Sequence, residues 1–148
     1  MAATTGKYKK GLKTGIWEFF NEEPHMLVTA MNYKEDKLEG MQVGYFLSGN
    51  KKFEGQYENN MEEGEWNWYY EMGYIESTVN YRQGKKEGNQ YFYSHSGLLI
   101  RTEKYSNGIL VSEEIKDSHP ILNEAVKDEG LHVVPAYYEL SSGEVKFL

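Results

Sequence analysis

Histidine, acidic side chains, hydroxyls and thiols carry most protein chemistry, so their spacing is read first. The chain has four histidines, His25, His95, His119 and His132, no two of them at an i, i+4 spacing. No HExxH motif or similar ligand pattern is present, so scattered surface turns outweigh a metal or acid–base site. Glu58, Glu62, Glu63 and Glu65 form an acidic cluster that lacks the EF-hand loop pattern. It reads as a solvated loop, or as a surface for a cation or a basic partner. No GxSxG elbow and no GxxxxGK[ST] phosphate loop occurs, and the chain contains no cysteine. Disulfides, cysteine–zinc sites and thiol catalysis are thereby excluded. The expectation is a protein that is not an enzyme, with no catalytic residues, no metal and no cofactor.

The residues left as candidates are aromatic: Trp17, Trp66 and Trp68, with Phe46, Tyr70 and Phe92, and beside them the acids Glu62 and Glu63. Tryptophan is enriched where proteins bind one another. An exposed stripe of these rings would be a protein, peptide or glycan surface. Rings covered by the sheet's own curl or by the C-terminal segment would instead be core. Both readings stay open at this stage.

Charge narrows the partner. Acids outnumber bases 23 to 16, for a formal net charge of -7 and a pI near 5.2. Nucleic acid needs clustered Lys/Arg, and anionic lipid needs a polybasic patch. A nucleic-acid role is disfavoured and no such partner is expected, a membrane is likewise disfavoured, and a basic protein would suit the balance better. The residues Met1 to Lys7 hold no apolar signal-peptide core and no apolar run has spanning length, so a cytoplasmic location is expected.

A period organises these residues. Tyr33, Tyr57, Tyr81 and Tyr105 are spaced by 24, and Tyr8 precedes Tyr33 by 25. Seven residues after the first four tyrosines stand Gly15, Gly40, Gly64 and Gly88. Twelve after them stand Phe20, Tyr45, Tyr69 and Tyr93. Sixteen after come Gly49, Gly73 and Gly97, with Pro24 in the first unit, which has the one extra residue. Three after come Gly11, Gly84 and Gly108, with Asp36 and Asn60 in the same slot. Asn and Asp tolerate a left-handed backbone best after glycine.

Glycines at the third and seventh places thus predict a turn between units, and the sixteenth a turn within a unit. Aromatic and β-branched segments lie between them. The expected fold is mainly β, an elongated antiparallel meander of repeated hairpins over residues 8–32, 33–56, 57–80 and 81–104. Eight strands at about 4.8 Å each would span roughly 38 Å. Alternation puts Phe53, Val79 and the tyrosine ladder on one face, Lys52, Glu54 and Thr78 on the other. In the preceding strand Trp17, Phe19, Phe46, Trp66, Trp68, Tyr70 and Phe92 share a face, opposite Phe20, Val43, Tyr45, Tyr69, Tyr91 and Tyr93.

After Gly108 the pattern weakens. Ser118, Pro120 and Gly130 bracket a predicted short helix with Ile121, Leu122, Ala125 and Val126 as its apolar stripe. Tyr137 to Gly143 echoes Tyr91 to Gly97. Residues 105–148 are therefore expected to be a degenerate fifth unit, split by a helical insertion, that caps the array within a single repeat domain.

The form Tyr-x-x-Gly-x-x-x-Gly-x-Trp-x-aromatic-aromatic, then a glycine turn and a return to tyrosine, resembles the MORN repeat in its bacterial second-type variant. Tyr8 to Phe20 and Tyr81 to Gly97 carry the likeness, which covers about residues 6–110. Departures are Asp36 and Asn60 at a glycine slot, Gln42 and Gln90 at the tryptophan slot, and Pro24 at the hairpin glycine. The resemblance implies a hairpin array used for protein binding or scaffolding, in some bacterial members as an antitoxin or immunity protein that occludes a toxin. The alternative it leaves is a structural scaffold contacting lipid or carbohydrate as one domain of a larger protein. Oligomeric state does not follow from it.

Overall fold

A computed structural model describes residues 4–116 in full, and the backbone of two strands further on, Ala136–Glu139 and Glu144–Phe147. The chain divides into two compact units, Met1–Lys116 and Asp117–Leu148. The first holds ten strands: β1 (Thr4–Lys9), β2 (Leu12–Phe20), β3 (Leu27–Lys34), β4 (Lys37–Tyr45), β5 (Lys51–Glu58), β6 (Met61–Tyr69), β7 (Ile75–Arg82), β8 (Lys85–Tyr93), β9 (Leu99–Ser106) and β10 (Ile109–Ile115). They form one antiparallel sheet in strict sequence order. The second unit contains β11 (Ala136–Glu139) and β12 (Glu144–Phe147), paired as a separate hairpin. The predicted helix lies outside the described residues.

Two alternating kinds of connection build the meander. The tight turns are Lys10-Gly11, Glu35-Asp36, Asn59-Asn60, Gln83-Gly84 and Asn107-Gly108, and both residues of every pair have positive φ. That is the two-residue hairpin turn whose twist matches the flanking strands. Where the slot holds an acid or amide, its side chain adds a bond: Asp36 Oδ1 accepts from the Lys13 N–H at 2.7 Å, and Asn60 Oδ1 from the Leu38 N–H at 2.7 Å. The departures from glycine at this slot therefore tie one unit's turn to the unit before it. The wider loops 46–50, 70–74 and 94–98 repeat one bonding pattern, such as Gly49 N–H to Phe46 O and Phe46 N–H to Asn50 O, both 2.9 Å.

The glycines at the seventh place are not in turns, which corrects the sequence reading. Gly15, Gly40, Gly64 and Gly88 lie inside β2, β4, β6 and β8, at φ of 68°, 86°, 71° and 78°. Each sits in a bulge. Met31 pairs with Gln42 while Tyr33 pairs with Leu38, so Asn32 alone spans Glu39, Gly40 and Met41. A turn and a bulge both need a left-handed residue, so glycine alone does not tell them apart.

Within Met1–Lys116 the sheet is a single layer, since every extensive contact between strands joins neighbours in the sheet. Burial must then be found within one face. Among the described residues the buried hydrophobic side chains are Trp17, Trp66 and Val79. They lie in one row that crosses the strands, with Gln42, Gln90 and Glu103 also buried in it.

Candidate functional site

The buried row is built from one pair per unit, the residue two before each tyrosine and the residue nine after it. The pairs are Gly6–Trp17, Met31–Gln42, Gly55–Trp66 and Val79–Gln90. Glycine faces tryptophan, and a larger residue faces glutamine. A Cβ built on Gly6 would lie 2.2 Å from Trp17 Cδ2, and one on Gly55 2.1 Å from Trp66 Cδ2. The indoles thus lie flat over bare backbone. The ring nitrogens Trp17 Nε1 and Trp66 Nε1 donate to Lys7 O (3.3 Å) and Gln56 O (3.2 Å), and Gln42 Nε2 donates to Asn32 O at 3.3 Å. Those carbonyls occupy equivalent places beside the bulge, so Gln42 at the tryptophan slot keeps the hydrogen bond and gives up the ring. This pairing was missed from sequence, although the Gly/Met/Gly/Val and Trp/Gln/Trp/Gln alternation is written there.

The tyrosine ladder flanks this row. Trp66 meets Tyr57 edge-on at 5.2 Å and Tyr81 at 6.1 Å, as Trp17 meets Tyr8 at 4.9 Å and Tyr33 at 6.2 Å. Burial, then the Glu62 carboxylate, pushes the Tyr57 hydroxyl up to about 12. On the other side of the row Phe53, Trp68 and Phe92 remain half-buried. Trp68 lies 5.9 Å from Trp66 and forms a wall shared by two hollows. One, of about 260 Å³, has Met31, Leu38, Gln42, Phe53 and Tyr57 around it, and the Gln42 Oε1 there has no hydrogen-bond partner. The other, of about 250 Å³, has Ser77, Tyr81, Lys86, Gln90 and Phe92.

The sequence candidates therefore separate. Trp66, Trp68, Phe92 and Glu62 share one face in the middle of the sheet. Trp17 lies on that face four strands away from Trp66, about 19 Å at ordinary strand spacing. Phe46 and Tyr70 are not on the strand face, because the loops begin at these residues. Lys52 Nζ lies 5.8 Å from the Phe46 ring, and Tyr70 stacks on His95 at 3.8 Å. Glu63 is engaged in the fold: its Oε2 accepts the Gln83 N–H at 2.8 Å, as Glu39 accepts from Asn59 and Glu87 from Asn107. Phe53, Tyr57 and Gln42 join the site without having been singled out for it.

On the opposite face Tyr69 donates to Glu54, which also pairs with Lys51 at 2.7 Å. The bond from Lys51 and then that from Tyr69 hold the Glu54 carboxyl below the usual range, against the opposing effect of its partial burial. No group of three or more His, Cys, Asp or Glu side chains among the described residues is placed to hold a metal. No helix among them is long and apolar enough to cross a membrane.

No protein-family model and no curated protein matches the chain. Among solved structures it is similar to the crystal structure of accessory secretory protein 1,2 and 3 in Streptococcus pneumoniae, at 15% identity and a TM-score of 0.40. That match covers 74% of this chain and 20% of that one, so the chain spans about a fifth of its length.

Proposed function

We propose that this chain is a non-enzymatic protein-binding module that holds its partner on the tryptophan face of the sheet. The observation that supports this is the pair of hollows walled by Trp68. Half-buried rings around small concavities, with polar groups at their margins, are the surroundings in which interface anchors seat. At about 260 and 250 Å³ the hollows fall below the roughly 300–1,000 Å³ of small-molecule sites. They suit single side chains of a macromolecule. Occlusion of a toxic partner, the role that the repeat resemblance implies for some bacterial proteins, is one form of this reading.

The test is capture of partners from the source cell by the wild type and by Trp68→Ala. A stoichiometric partner retained by the wild type and weakened at least tenfold by the substitution supports the reading. Binding to a glycan array or to liposomes, with no protein partner, would replace it by the scaffold alternative.

A further inference from the structure

The first and third repeats present the same aromatic corner but different charges. In the first, Trp17 and Tyr33 stand 6.2 Å apart at 73°, and in the third Trp66 and Tyr81 stand 6.1 Å apart at 73°. The fifth residue after the repeat tyrosine is Lys13 in one and Glu62 in the other. Lys13 Nζ sits over both rings, 4.6 Å from the Trp17 centroid and 5.0 Å from that of Tyr33. An ammonium there is attracted by the negative faces of the rings. In the third repeat the carboxylate of Glu62 stands at that place, accepting from the Tyr57 hydroxyl at 3.2 Å. It forms no ion pair with a cation among the described residues.

The chain's own cations also lie over three further rings. Lys52 lies over Phe46, Arg101 over Phe92 at 3.8 Å, and Lys86 over Tyr105 at 4.6 Å. Among the described residues none lies over Trp66, Trp68, Tyr57 or Tyr81. The middle of the face thus combines half-buried Tyr57, Trp68 and Tyr81 around the buried Trp66 with a carboxylate, in a chain of net charge -7. A carboxylate beside electron-rich ring faces is an incomplete arrangement, and the first repeat shows what completes it.

We infer that the Trp66–Tyr81–Glu62 corner is a docking site for a lysine or arginine side chain of a protein partner, which supplies the cation that Lys13 supplies internally in the first repeat. This rests on the protein-binding reading above and specifies the chemistry of its partner. The partner presents a basic segment to the middle of the sheet, and Glu62 accounts for the preference for a cation over a neutral side chain.

The probe is an N-acetylated tetralysine peptide, followed through the three tryptophan indole N–H signals by NMR, with tetraglutamate as control. Tetralysine is expected to shift the Trp66 signal saturably, with an affinity that falls as salt is added. Glu62→Lys places the missing cation inside the chain and should weaken the peptide at least tenfold; Glu62→Gln, which keeps the side chain's size, should weaken it less. The reciprocal Lys13→Glu should create a second saturable shift at Trp17. An unmoved Trp66 signal, or equal binding by wild type, Glu62→Lys and Glu62→Gln, overturns the inference. A natural partner captured equally by wild type and Glu62→Lys also overturns it and leaves the protein-binding reading standing. Saturable tetralysine binding with no protein captured does the reverse.

Discussion

Exchanging the third repeat's buried pair for the second's tests whether glycine is reserved for the ring. Gly55→Met alone puts a side chain where even a Cβ would stand 2.1 Å from Trp66 Cδ2. Ordinary carbon contacts lie near 3.5–4.0 Å, so the indole or the strand must move by well over 1 Å, an overpacking cost of about 3 kcal/mol. Trp66→Gln alone removes a ring that is 5% exposed and leaves bare backbone at Gly55. Trp-to-small losses are about 3–5 kcal/mol, and the retained bond to Gln56 O keeps this one near the lower end. The double variant has the composition of Met31–Gln42. The overlap, and with it the cost of about 3 kcal/mol, is gone. Its loss should be about 3 kcal/mol smaller than the sum of the single losses, a coupling at the top of the range for contacting residues. Urea unfolding followed by far-ultraviolet circular dichroism measures all four proteins, with unchanged m-values as the check on the unfolding model. Additivity within about 0.5 kcal/mol would refute the argument that the glycine exists to admit the indole.

Asp36 has φ 64° and caps the Lys13 N–H. Asp36→Gly should cost about 0.5–1 kcal/mol and Asp36→Ala about 1–2, because alanine loses the cap and also strains the left-handed turn; thermal melts in which alanine is no worse than glycine would contradict this. Glu63→Ala, which removes the acceptor for the Gln83 N–H, should lower stability by about 1 kcal/mol and leave partner affinity unchanged within twofold. A tenfold affinity loss in a titration would return Glu63 to the binding surface. Tyr57 and Tyr69 are both pushed up to about 12, chiefly by burial and then by the carboxylates of Glu62 and Glu54. A folded value above the ordinary tyrosine value of about 10 means that the protonated hydroxyl favours the folded state. That contribution is present in full below pH about 10 and is lost as pH rises toward about 12. Phenolate absorbance should show two late-titrating tyrosines fewer in Tyr57→Phe/Tyr69→Phe, together with a flatter decline of stability over that window.

The strands were legible in the sequence because a tyrosine every 24 residues and a left-handed pair just after it fix where each chain reversal must fall. The role of the seventh-place glycines was not, since positive φ serves a bulge as well as a turn. Phe46 and Tyr70 were assigned to the strand face by carrying alternation past the end of the strand, and the loop bonds at those residues break it. The Gly–Trp pairs were hidden for a different reason. A search for likeness between consecutive units treats Met31 and Gln42 as departures. The pattern is regular over two units, with Trp17 and Trp66 separated by 49 residues and Gln42 and Gln90 by 48.

Single-layer burial also explains why sequence left the tryptophans suspended between core and surface. With no second layer in the unit, a ring is buried only by lying along its own sheet, over a neighbour that lacks a side chain. Gly55 lets Trp66 do this. Trp68, one strand step further along the same face, pairs with Phe53 and Ser77 and stays half-exposed. Core and surface are therefore adjacent places on one face, and the same aromatic stripe supplies both. In the binding function proposed above, small inequalities between units carry the specificity. The backbone at Trp17 and at Trp66 is the same, and what distinguishes the third repeat is a carboxylate where the first has an ammonium. Stability rests on what the units share, and the recognition proposed above on the place where they differ.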